Sequence, residues 1–113
     1  MKREVAEQWV NALRSGKYVQ GKSVLHSEDN AFCCLGVLCD ISRLTKPIPS
    51  EWAKDKSFKY FGCQFYLPEK VQKWAGMASN SGVIGLESLA RLNDEGHSFE
   101  TIANTIEENW EKL

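Results

Sequence analysis

The chain has 113 residues, 42% of them hydrophobic and 26% charged, which suits one folded domain over residues 1–113 and excludes a disordered chain. A formal net charge of −1 argues against duplex nucleic acid as a partner, which asks for a basic excess. No apolar run approaches the roughly 20 residues of a membrane span, and residues 1–8 are too polar for a secretory signal, so the expected location is the cytoplasm, where the four cysteines stay reduced.

Residues 4–15 place Val5, Trp9, Ala12 and Leu13 on one helical stripe, with Gly16 just past the end. Residues 18–25 alternate loosely and predict a short extended arm, followed by the polar turn Ser27-Glu28-Asp29-Asn30. Residues 31–44 are the most apolar stretch and too long for an ordinary strand, so a buried helix capped by Asn30 is expected. Gly36 inside that helix implies the close approach of another backbone. Residues 47–64 are broken by Pro47 and Pro49 and rich in aromatic side chains, which suggests short strands or a lid. Pro68 opens a helix that carries Val71 and Trp74 and stops at Gly76. After a loop of small residues at 77–85, residues 86–94 predict a helix with Leu86, Leu89, Ala90 and Leu92 inward. Ser98 caps the last helix, whose stripe is Phe99, Ile102, Ala103, Ile106 and Trp110. The expected fold is mostly α (α+β), about five helices with a small β-hairpin element.

Several chemistries can be weighed from these residues. Cys33, Cys34, Cys39 and Cys63 with His26 and His97 invite a zinc site, but adjacent cysteines diverge by about 100° on a helix, so the thiols read as small buried hydrophobes and no metal or cofactor is expected. A nucleophilic cysteine beside His26 is conceivable, yet apolar surroundings raise a thiol pKa, and no catalytic residue is assigned. Asp94-Glu95 and Glu107-Glu108 read as solvated faces rather than a hydrolytic pair. Residues 89–106 look superficially like a helix-turn-helix, but the second helix bears Glu100, Glu107 and Glu108 and no arginine, which would repel phosphate.

The segment at residues 14–22 is the most suggestive polar stretch. Arg14, Lys17 and Lys22 suit phosphates, Tyr18 suits stacking on a base and Gln20 suits reading its edge, while the flanking glycines let a backbone approach a ligand. The plainer reading is a helix C-terminus with complementary cations, followed by a surface turn.

The strings Ala12-Leu13-Arg14-Ser15-Gly16-Lys17-Tyr18, Phe32-Cys33-Cys34-Leu35-Gly36-Val37-Leu38-Cys39-Asp40, Leu67-Pro68 and Leu92-Asn93-Asp94, with Ser98-Phe99 and Ile102-Ala103, resemble a widespread family of small phage and prophage proteins. That family is similar to viral sponge proteins that sequester cyclic nucleotide immune signals of the CBASS and Thoeris defences. The resemblance implies a homo-oligomer in the infected bacterial cell that binds a cyclic dinucleotide without cleaving it. It transfers no contact residues. Chemistry nominates Arg14, Lys17 and Lys22 for phosphates and Tyr18, Gln20, Trp74 and Asn93 for a purine. The alternative is a protein-interaction module that inhibits a host factor through Trp52, Phe58, Tyr60 and Phe61.

Overall fold

The apolar stripe of the opening segment becomes the central helix. In the computed structural model, which describes residues 1–51 and 56–113, α1 spans Arg3–Arg14 and buries Val5, Ala6, Trp9, Val10 and Leu13. Gly16, at φ +75°, lets the chain leave the helix through the left-handed region. The arm beyond it forms β1 (Val19–Gln20), which pairs in parallel with β2 (Ala31–Phe32).

The apolar stretch therefore splits instead of forming one helix from Ala31. Cys33 is its N-cap and α2 runs over Cys34–Ser42. Asn30 does not cap it: that residue sits in a left-handed turn at φ +63°, with its side-chain oxygen against His26. Backbone pairing explains the difference. The carbonyls of Ala31 and Phe32 accept from the N–H groups of Ser27 and Gly21, and the Phe32 ring stacks on His26 at 4.0 Å. Gly36 meets the expected close approach, since a Cβ built there would lie 1.7 Å from the Leu25 carbonyl oxygen.

The proline-broken segment contains two short strands, β3 (Ile48–Pro49) and β4 (Phe58–Lys59), paired antiparallel. Trp52 lies outside the described residues. Pro68 then serves as N-cap of α3 (Glu69–Ala75), which ends at Gly76 with φ +72°.

The predicted helix over 86–94 is shorter than expected. A hairpin of β5 (Val83–Ile84) and β6 (Glu87–Ser88) precedes it, closed by Gly85 and Leu86. Gly85 at φ +61° suits a two-residue turn. Leu86 consequently projects fully into solvent instead of packing inward. The Ser88 hydroxyl accepts the Arg91 N–H at 3.2 Å and starts α4 (Leu89–Asp94). Ser98 caps α5 (Phe99–Asn109) in the same way, and a 3₁₀ turn over Trp110–Lys112 follows.

α1 lies along α5 and also packs on α2, with α4 wedged against α2 and α5, and α3 against α2. Their shared core centres on Trp9, Leu35, Leu38, Ile102 and Ile106, all inaccessible to solvent. The Trp9 indole N–H donates to the Cys34 carbonyl at 2.9 Å, so the largest core side chain leaves no polar atom unpaired. Among the described residues there are five α-helices and three two-stranded sheets, the expected α+β arrangement. No described helix is long and apolar enough to cross a membrane.

Candidate functional site

The polar stretch at residues 14–22 is drawn largely into the fold. Arg14 reaches from α1 to α5, where its guanidinium contacts both carboxylate oxygens of Glu107 at 2.9 and 3.1 Å, Asn104 at 2.5 Å and Glu100 at 3.3 Å. The Glu107 contact holds the Arg14 pKa above its ordinary value and that of Glu107 below. Gln20, half-buried, and Asn93, fully buried, form one network. Asn93 Oδ1 accepts from Gln20 Nε2 at 2.9 Å and from the Cys34 N–H at 3.1 Å, and its Nδ2 donates to the Gly21 carbonyl at 2.8 Å. Gln20 also donates to the His97 carbonyl and accepts the Phe99 N–H. Together the two amides satisfy first-turn N–H groups of both α2 and α5, donors that a helix cannot satisfy itself.

Lys17 is exposed. Lys22 places its Nζ 3.7 Å from where a Cβ on Gly96 would lie. Trp74 packs half-buried against the core from α3. The Tyr18 hydroxyl donates to Asp40 at 2.5 Å; burial and then this bond push its pKa upward. Tyr18 and Asp40 line a hollow of about 540 Å³ with Arg43, Ile41, Gln8 and Asn11. The structure thus joins Gln20 with Asn93, but it does not gather Arg14, Tyr18 and Trp74 around one concavity.

The aromatic residues also separate. Tyr60 is fully buried and its hydroxyl lies 3.0 Å from His26 Nδ1, while Phe58 stacks on the same imidazole at 4.3 Å. Neither offers the exposed anchor expected of a docking surface. Phe61 is exposed, with the Lys70 ammonium 4.9 Å above its ring. Since His26 Nε2 meets Asn30 Oδ1 at 2.6 Å, both ring nitrogens already have oxygen partners. No thiol is activated by that imidazole. Burial instead raises Cys33 to about 11 and pushes Cys34 and Cys39 well up. No three His, Cys, Asp or Glu side chains among the described residues gather as a metal site.

A larger hollow lies elsewhere, a groove of about 840 Å³ between the end of α4, the hairpin base and the segment ahead of α3. That volume lies within the range of small-molecule sites, about 300–1,000 Å³. Phe65 and Tyr66 form one wall, each 52% exposed. Asn80, Ser81 and Ser88 supply neutral hydrogen-bonding groups, and Cys33 lies on the lining with its thiol nearly inaccessible. Arg91, Asp94 and Glu95 come from one side of α4. Arg91 pairs with Glu95 at 2.7 Å and Glu87 at 3.4 Å, and Asp94 Oδ1 accepts the Ser23 N–H at 2.9 Å. This bond ties the groove to the residue following Lys22.

In the sequence Phe65 and Tyr66 simply follow the aromatic-rich stretch at 47–64, and Asp94-Glu95 reads as a solvated face. The available signal was the adjacency of two aromatics to Leu67-Pro68, where a helix start turns the chain. Nothing in the spacing shows that residues near 65, 80 and 91 converge.

Fold and site together define a small α+β domain with an open, partly aromatic groove. A family model described as a domain of unknown function, DUF8296, matches residues 1–110, and the chain belongs to that family. No curated protein and no solved structure matches the chain.

Proposed function

We propose that this protein binds a nucleotide-class ligand, a cyclic dinucleotide signal, in the groove walled by Phe65 and Tyr66, and holds it without cleavage. The reading is that of a phage immune-evasion protein acting in the cytoplasm of an infected bacterium. The observation that carries it is the pairing of two half-exposed aromatic rings with an arginine across one groove of about 840 Å³. Aromatic faces stack on bases, at about 1–3 kcal/mol per base. The guanidinium of Arg91 meets a phosphodiester by exchanging Glu87 and Glu95 for it. Lys22 lies beside Gly96, past the end of α4, and its neighbour Ser23 lines the groove. Retention without turnover is consistent with thiols whose pKa values burial has raised.

Within this reading Arg14, Gln20 and Asn93 support the scaffold, and the 14–22 segment reaches the groove through Ser23, the residue after Lys22. The test is calorimetric titration with 3′,3′-linked cyclic dinucleotides, followed by heat denaturation and chromatography of the released ligand. Saturable binding with intact ligand recovered supports the proposal. No heat of binding, or linear products, contradicts it.

A second reading has its own observation. Leu86 is wholly exposed and Val83 is 45% exposed on the hairpin that borders the groove, an apolar projection of the kind found at protein interfaces. Through it the chain docks on another protein or forms a homo-oligomer. Light scattering of wild type and L86K separates these: a mass that falls to the monomer in L86K supports self-association.

A further inference from the structure

The groove's lining includes a carboxylate held in place by backbone hydrogen bonding, and that acceptor selects a base. Resting on the nucleotide reading above, we propose that the ligand carries guanine rather than adenine, and that the Asp94 carboxylate reads it. Asp94 is held in place: its Oδ1 accepts the Ser23 N–H at 2.9 Å and lies 3.4 Å from Asn93 Nδ2. Asn93 is itself fixed by the Gln20, Cys34 and Gly21 bonds, so the carboxylate rests on the same network that starts α2 and α5. Glu95, its neighbour on the lining, is exposed and its side chain is held, among the described residues, only by Arg91, so it loses its fixed orientation once that guanidinium turns to a phosphate. A carboxylate is an acceptor only.

Guanine presents two adjacent donors on its Watson–Crick edge, N1–H and the N2 amino group, which a carboxylate accepts side by side. Adenine presents one donor and the N1 lone pair. That lone pair faces the negative oxygen without compensation. Stacking on Phe65 and Tyr66 is indifferent to this choice, because every base has a π-face. Base selection therefore falls to the polar lining, where Asp94 is the acceptor with a fixed orientation. Asn80, Ser81 and Ser88 are neutral partners on the same lining.

The experiment titrates the protein with 3′,3′-cyclic di-GMP, 3′,3′-cyclic di-AMP and 3′,3′-cyclic di-IMP, whose hypoxanthine rings lack the N2 amino group. Cyclic di-GMP is expected to bind at least about tenfold more tightly than the other two, the discrimination of one good two-bond contact. In D94N the side chain keeps an oxygen for the Ser23 N–H, so folding is retained, while one of its two acceptor oxygens becomes a donor. The preference then falls toward unity, because cyclic di-GMP loses one of its two bonds while the new amide N–H meets the adenine N1 lone pair and strengthens cyclic di-AMP binding. Equal binding of the three ligands, or a guanine preference that survives D94N, overturns the assignment and leaves nucleotide binding standing. The cyclic di-IMP comparison uses the unaltered protein, so it decides whether the guanine N2 amino group is read even if D94N folds poorly. Failure of all three ligands to bind overturns the nucleotide reading, and the base assignment with it.

Discussion

Asn93 shows how one polar side chain sets the geometry of several elements. Its amide is fully buried and engaged in both senses, accepting from Gln20 and Cys34 and donating to Gly21. Replacement by alanine strands the Cys34 N–H and the Gly21 carbonyl in the core, each at about 1–3 kcal/mol. N93A is therefore expected to lose about 3 kcal/mol in chemical denaturation, whereas a purely ligand-facing asparagine would leave the midpoint unmoved. The Arg14–Glu107 pair gives a pH signature. The Glu107 pKa lies below its ordinary 4.5 in the folded protein, chiefly through its bond to Arg14. The stabilisation is complete above the ordinary value and is lost as pH falls through the folded one. Melting temperature measured from pH 6 to pH 3 should fall less steeply in E107Q than in wild type; parallel curves would show that the pair does not couple to folding. The sequence marks Gln20 and Asn93 as polar groups suited to a base edge, whereas the structure engages both amides inside the fold. Their partnership across 73 positions was not legible there, because no local pattern encodes a contact at that separation.

Helix stripes carried most of the element boundaries. Val5, Trp9 and Leu13 located α1, and Ser98 with Phe99, Ile102 and Ile106 located α5, because 3.6-residue spacing and a capping hydroxyl are local signals. The two corrections arise where a short strand borrows residues from an apolar run. Ala31 and Phe32 pair with β1, and Glu87 and Ser88 pair with β5. Two-residue strands have no period to read, so helix-like composition prevails in the sequence. Leu86 and Leu89 make the consequence measurable. L86S should leave the melting temperature nearly unchanged because its side chain is wholly exposed, while L89A, at a fully buried position, should cost about 2–5 kcal/mol. Equal losses would restore Leu86 to the core. G36A tests the crossing of α2 with the Leu25 backbone. A Cβ at 1.7 Å from a carbonyl oxygen has no place to go, so the variant should lose more than about 4 kcal/mol or fail to fold, as read by near-ultraviolet circular dichroism.

At the scale of the whole molecule, the fold class and its core follow from composition and periodicity, whereas the groove follows from where distant loops end. Phe65 and Tyr66 ahead of α3, Asn80 and Ser81 before the hairpin, and Arg91 and Asp94 on α4 are joined by bonds such as Leu67 N–H to the Asn80 carbonyl and Leu89 N–H to that of Gly82. Such loop-to-loop bonds leave no mark in spacing. The reading of ligand capture rests on this groove rather than on the hollow beside Tyr18, and the two are lined by different residues. The most direct measurement is a nitrogen-15 chemical-shift map of the whole protein titrated with a 3′,3′-linked cyclic dinucleotide. The account predicts the largest shifts at Tyr66, Asn80, Ser88, Arg91 and Asp94. Shifts centred on Asn11, Tyr18, Asp40 and Arg43, or none at all, would contradict it.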